Sequence, residues 1–501
     1  MWNGNAVFDD EIAVWWDYVN LKENGGSYCA YIDGTLAGTV SVTHYEFTGL
    51  EPDTEYCVKV ELCSPTGDIL SVIIDASFRT AKQKRKIDVS SAPYFAVGDG
   101  KTDCTGAIQR AIDDCRADEC VYIPAGVFFT GALTLHGNME LYVSEGAVVK
   151  GSDCYSAYLP KIKSRFEGTE MDCYASLLNL GERDAHGAFN CENVIIRGGG
   201  CISGGGAALR ISEIEHEREL LKDYLAGIDV AAMHIDNDTT IPGRARGRLI
   251  HAANCRNITL CHLTLENAPA WNLHFIYSEK ILTYAVTVNS IGISNGDGWD
   301  PDSSSDCVLF GSVFNTGDNA VAIKSGKNPD GNRVNIPSEH IRVFDVTSHR
   351  GGGLTVGSEM SGGVSDVRFW DCDSRGCMPG LQLKGTPKRG GYIRDVKISN
   401  CRSSTLWVSS TLSYGNDGDD SGLPVFEDFV FEDIEVDGRE YHDGIVEKER
   451  CLVLTGFDAD GHRLRNVLLK NVVLLPSLDG EPQIVYIQHV EGVRFENFTA
   501  L

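Results

Sequence analysis

The chain has 501 residues, 54 of them glycine and 17 cysteine, with 71 acidic against 44 basic side chains and a formal net charge of −27. A hydrophobic content of 42% with 23% charged residues excludes wholesale disorder, and no apolar run approaches the roughly 18 residues that would cross a membrane. The negative field excludes a general binder of nucleic acid or anionic membrane, although a local basic pocket remains compatible with an anionic substrate.

Met1 to Trp16 carries Asp9, Asp10 and Glu11 and no basic stretch before an apolar run. It does not read as a secretory signal, so a cytoplasmic location is expected unless a signal has been removed. Residues 1–83 read as a small all-β unit. Alternation runs through Ile12 to Trp16, Tyr28 to Ile32 and Tyr56 to Leu62, and Asp33-Gly34 is a hairpin signal. The segment Gly49-Leu50-Glu51-Pro52-Asp53-Thr54-Glu55-Tyr56 resembles the E–F corner of fibronectin type III domains. That resemblance implies a small β-sandwich in which the Tyr56 hydroxyl ties back to upstream backbone. The basic run Lys82 to Lys86 reads as a linker.

Residues 84–501 follow a different pattern. A short amphipathic helix is expected over Gly106 to Cys115, with Ile108, Ala111 and Ile112 on one face. Short strands then begin near Val194, Ile258, Ile281, Val308, Ile341, Val367, Val396, Phe429, Val467 and Val493, and from Ile258 their spacing is 23 to 38 residues. Such a period without regular helices predicts a β-solenoid whose coils bury their faces only against one another. The charged stretch Ser212 to Leu225 reads as a helical surface insertion. Cysteines recur singly at strand starts, as at Cys255, Cys307 and Cys401, without zinc spacing, so free, buried thiols and no metal or cofactor are expected.

The densest polar stretch is Asn295-Gly296-Asp297-Gly298-Trp299-Asp300-Pro301-Asp302, and Thr316-Gly317-Asp318-Asn319 follows one coil later. Equivalent points on successive coils lie about 4.8 Å apart, so these acids should cluster on one face. A carboxylate pair of this kind suits glycoside hydrolysis, which needs one protonated acid and one ionised base. Taken singly, each aspartate also reads as a turn cap.

On these motifs the second domain resembles the polygalacturonase family of glycoside hydrolases, family 28, in its bacterial exo-acting form. The supporting stretches are Asn295 to Asp300, Gly317-Asp318-Asn319, Ser164 to Gly168, Trp271 to His274, Ile323 to Asn328, Gly357 to Gly363 and Arg389 to Tyr392. The resemblance implies an all-β chain with a right-handed parallel β-helix, hydrolysing α-1,4 galacturonan bonds with inversion. It implies Asp318 as general acid and Asp297 as general base, with Asp300 nearby. It implies a pectic oligosaccharide or polysaccharide as partner, with exo action helped by a closing wall from the N-terminal domain. Lys384 would bind a substrate carboxylate. Lys324, Lys327, Arg350, Lys388 and Arg389 would complete a cationic set, and Glu167 lies in one of the resembling stretches. Trp299 would stack on a sugar or fill the turn, and His274 lies where family members place a cleft residue.

Three departures stand out. Asn319 replaces a second aspartate, so restoring it is expected to raise activity if the position faces the base water. Gly351 aligns with the family histidine, and His349 substitutes for it only if the loop is re-registered. Gln382 replaces an arginine, which removes a bidentate clamp on a uronate. Two alternatives follow: another pectic linkage such as rhamnogalacturonan, or an impaired β-helix that only binds uronic-acid carbohydrate. A calcium-dependent lyase built on Asp300, Asp302 and Asp306 is a third. Nothing in the sequence assigns an oligomeric state.

Overall fold

The computed structural model describes residues 2–21, 25–183, 188–227, 242–412, 419–441, 444–447, 450–478, 480 and 483–501. The chain divides into two compact units, Met1–Lys86 and Ile87–Leu501.

In the first unit, strands Asn3–Val7, Glu11–Trp16 and His44–Thr48 form one antiparallel sheet. Strands Thr35–Val40, Ser27–Ile32, Glu55–Cys63 and Ile69–Arg79 form a second, in that order. Ile12, Val14, Trp16, Tyr28, Phe47, Val58 and Val60 fill the core. Asp33 and Gly34 both have positive φ (48° and 76°) between paired Ile32 and Thr35. That is the backbone a two-residue hairpin turn demands. The Glu51 amide donates to the Tyr56 hydroxyl at 2.9 Å, so the tyrosine does hold upstream backbone.

The second unit is a parallel β-helix built on one continuous 33-stranded sheet, with two separate antiparallel hairpins, Ile162–Phe166 with Thr169–Cys173 and Arg439–Glu440 with Val446–Glu447. Helix Thr105–Asp114 buries Ile108, Ala111 and Ile112, the face its periodicity predicts. Along the ladder, Val194 opposes Ile258, Ile258 opposes Ile281, and Ile281 opposes Cys307. The residue in the rung is therefore Cys307 rather than the expected Val308, because a buried thiol serves as a small hydrophobe. All 17 cysteines are free and 13 are buried, which makes them core filler rather than cross-links. Within the sheet, Tyr284, Phe310, Phe344 and Trp370 oppose one another on four successive coils and stack with centroid separations of 4.9, 5.0 and 4.4 Å. Such ladders pin the register of each coil.

The charged stretch near Ser212 is more than a surface insertion. Helix Gly206–Leu220 buries Leu209, Glu213 and Ile214. The Glu213 carboxyl sits 3.3–3.4 Å from the Gly247 amide, and burial pushes its pKa up to about 8.

Candidate active site

Parallel register builds the site. Leu273, Trp299, Val321, Leu354 and Leu381 oppose one another on consecutive coils and point into the core. The alternation of a strand then turns their neighbours His274, Asp300, Thr355 and Gln382 outward. Asp297, in the turn that enters its strand, and Asp318-Asn319, at an irregularity within strand Ser305–Ile323, come to the same side, with Asn319 opposite Gly352. They border a cavity of about 240 Å³. Of the residues singled out from sequence, Glu167, Asp297, Asp318, Asn319, Lys324, Lys327, Lys384 and Arg389 line it.

Lys324 organises the acids. Its Nζ lies 3.0 Å from Asp297 Oδ2, 3.6 Å from Asp300 Oδ1 and 3.7 Å from Glu359 Oε2, and 4.9 Å from the centre of the Trp271 ring. Burial works against its ammonium, but Asp297, Glu359 and Asp300 outweigh it and hold the pKa well above the usual lysine value. Asp297 Oδ1 has no hydrogen-bond partner and neither has either oxygen of Asp300. Burial, then the charge of Asp297, push Asp300 well above the carboxylate range. Beside the one fixed cation shared by these acids, Asp300 is thus a carboxyl whose neutral form is favoured.

Half-buried Asp318 is the other pole. Its Oδ1 accepts the backbone amide of Asn319 and the Asn319 Nδ2 amide, both at 2.9 Å. Burial and the charge of Asp297 raise its pKa to about 6 against the pull of Lys384 and Lys324. Since Oδ1 is already occupied by two N–H donors, Oδ2 is the oxygen left to carry the proton.

Asn319 is built into this arrangement, because its Oδ1 accepts the Thr355 hydroxyl at 2.8 Å while its Nδ2 clamps Asp318. The simple expectation that Asn319→Asp raises activity changes accordingly. That substitution removes a donor to the charged form of Asp318 and adds a negative neighbour. Both effects raise a carboxyl pKa. The alkaline limb of the pH–rate profile should move above its starting point near 6, as initial rates across pH would show; an unmoved limb would contradict the clamp.

Several expectations need correction. Trp299 does not face a sugar: it lies fully buried in the core beside Phe275, and its indole N–H donates to Thr283 at 3.1 Å. His274 does not line the cavity. It packs under Trp271, with Nε2 3.4 Å from Asp302, and burial lowers its pKa to about 4. Gln382 is buried in the strand between Thr355 and Trp407 rather than lining the cavity. His349 is exposed and Arg350 half-buried, its carbonyl accepting the Thr316 hydroxyl at 3.3 Å, and neither lines the cavity. Gly351 explains why no histidine stands there. Its φ is +94°, and a Cβ would meet the carbonyls of Thr316 and Asp318 at 2.5 and 2.6 Å. The calcium reading also fails. Among the described residues Asp300, Asp302 and Asp306 do not bring their oxygens together, and Asp302 is taken up by Arg165 and the Gly326 amide.

Sequence reasoning missed Glu359 and Trp271 as members of the site, although both lie in stretches that carried the resemblance. Burial favours the neutral form of Glu359, but Lys324, Arg389 and Lys384 hold its pKa below the ordinary value. The hairpin Ile162–Phe166 and Thr169–Cys173 brings Glu167 to the cavity at its tip, where Glu167 and Gly168 have φ of 43° and 74°. Gly168 is seated so closely that a Cβ would meet Lys327 at 2.4 Å, and its carbonyl accepts the Lys327 amide at 2.8 Å. Arg165 roots the hairpin in the β-helix through Asp302 at 2.7 Å, Ser303 at 3.0 Å and Tyr277. Phe166 stacks on Trp271 at 5.0 Å, and Glu167 pairs with Arg244 at 2.8 Å.

Comparison with known proteins agrees with this architecture. Residues 181–406 match glycosyl hydrolases family 28. The chain is 27% identical over 413 residues to the exo-poly-alpha-D-galacturonosidase of Dickeya chrysanthemi, covering 77% of this chain and 68% of that protein. It is 27% identical over 365 residues to an endo-polygalacturonase of Pectobacterium carotovorum, covering 71% and 83%. The fold matches the family 28 exopolygalacturonase of Yersinia enterocolitica with a TM-score of 0.80 at 20% identity, over 99% of this chain and 96% of the other. The exopolygalacturonase of Thermotoga maritima gives 0.62 at 26% identity, over 82% and 92%.

Proposed function

We propose that this chain, a glycoside hydrolase whose residues 181–406 form a family 28 domain, removes galacturonate units from the end of α-linked polygalacturonate with inversion. The observation that carries this reading is the asymmetric acid pair. Asp318 keeps a proton up to about pH 6, while Asp297 is held by the Lys324 ammonium at 3.0 Å and keeps Oδ1 unpartnered. One carboxyl that favours its proton beside one paired with a buried ammonium suits the acid and base roles. Asp318 Oδ2 gives its proton to the departing glycosidic oxygen. Asp297 Oδ1 takes a proton from water attacking the opposite face of the sugar. Inversion requires the two carboxyls to stand roughly 6.5–9.5 Å apart so that this water fits between them. Lys384, close enough to depress Asp318, meets the carboxylate on the leaving side.

Exo action draws support from the Dickeya relative and from the hairpin tip Glu167-Gly168, a wall of the cavity contributed by the β-helix unit itself. Incubation with oligogalacturonides of defined length should release a single short product from the start, with α-linked substrate yielding a β-anomer in the first NMR spectra. Early mid-length oligomers would refute exo action, an α-anomer would refute inversion, and cleavage confined to rhamnogalacturonan fragments would redirect the substrate assignment.

A further inference from the structure

Lys327 is only 5% exposed yet lines the cavity, beside Glu167 and Arg389. Among the described residues it makes no ion pair. The two nearby acids are engaged elsewhere, Glu167 by Arg244 at 2.8 Å and Glu359 by Lys324 at 3.7 Å. Arg389 is likewise committed, its Nε donating to the Ser358 carbonyl and Nη1 to Asn328 Oδ1, both at 2.9 Å. An ammonium withdrawn from water without a direct ion pair is costly, and an incoming anion relieves that cost. Burial, then Arg389 and Arg244, lower its pKa to about 8. The backbone of the same residue supports the hairpin tip through Gly168. The lysine therefore sits where the wall of the cavity meets a buried ammonium that Glu167 and Glu359 offset only at a distance, without an ion pair.

We infer that Lys327 receives the carboxylate of the sugar residue seated against the Glu167 wall, so that this end of the cavity selects a uronate over a neutral sugar. The inference rests on the polygalacturonate reading and extends it. Lys384 serves the leaving side beside Asp318, and a second carboxylate of the chain is recognised by Lys327 against the hairpin tip. Glu167, whose pKa burial raises, is the neighbouring polar group available to a hydroxyl of that same sugar.

The test compares kcat/KM for trigalacturonate and for a trisaccharide with galactose at its non-reducing end, using wild type, Lys327→Met and Lys327→Arg. Wild type should prefer trigalacturonate. Lys327→Met should cut that preference on the order of ten- to a hundredfold, as expected for loss of a charged hydrogen bond. The loss should fall on KM rather than kcat, and an unshifted thermal unfolding midpoint would report correct folding. Lys327→Arg should restore the preference. An unchanged preference in Lys327→Met, with wild type active on trigalacturonate, overturns the inference and leaves the substrate reading standing. A wild type that cleaves neither trisaccharide overturns both.

Discussion

Replacing Asp318 by asparagine is expected to lower kcat on polygalacturonate by about 10³-fold, within the range of a positioned general acid. Asparagine keeps the size of the side chain and an oxygen for the Asn319 amides, so the clamp at 2.9 Å survives while the proton is lost. In the wild type, kcat/KM should fall as pH rises through about 6, because the group must be protonated to act and that is where it deprotonates. In Asp318→Asn this limb should vanish. An aryl galacturonide whose leaving group needs no proton should be cleaved with a much smaller loss. Steady-state rates on both substrates across pH decide the matter: equal losses on both, or a persistent limb, would move the acid role elsewhere.

Arg165→Met should have the largest effect on stability. Arg165 and Asp302 are both fully buried and paired at 2.7 Å. Removing one partner strands the other charge, which typically costs about 3–5 kcal/mol. The pH dependence has a defined sign. Asp302 is opposed by burial but held down to about 2 by Arg165 and His274, against 3.8 for an ordinary aspartate. A depressed carboxylate contributes its stability above the unfolded value, and that contribution is lost as pH falls through 3.8 toward 2. The shift corresponds to about 2 kcal/mol. Urea unfolding should therefore show wild type and variant far apart at pH 6 and converging toward pH 3. A constant gap would show that the pair does not set the acid sensitivity. The hairpin that carries Glu167 is tethered through the same arginine, so KM should rise as well.

Much of this protein is legible in its amino acids because a solenoid repeats itself. Each coil meets only its neighbours, so the spacing of short Val, Ile and Leu runs appears directly in the sequence, and the acidic turns appear at the matching points. The pairing of Asp297 with Asp318 follows from that local order, as does the helix over Thr105–Asp114. The sequence was silent wherever alternation could not be oriented. Trp299-Asp300-Pro301-Asp302 alternates apolar and acidic residues, but over four residues beside an acidic turn the alternation does not say which face is core and which is cleft. Only register against Leu273 and Val321 turned Trp299 into the core and Asp300 out.

Charge pairing was likewise decided in space. Lys324, Lys327 and Arg389 look alike in the sequence as basic residues near a cleft. The fold gave Lys324 to Asp297, Asp300 and Glu359, gave Arg389 to Ser358 and Asn328, and left Lys327 without an ion pair among the described residues. The sequence by itself thus determined the repeat, the acidic motifs and the kind of chemistry they permit, because these depend on order along the chain. The tertiary structure alone decided which acids share the buried ammonium of Lys324 and which cation is left without an ion pair among the described residues. Those properties depend on burial and on distances of a few ångströms between residues from different coils.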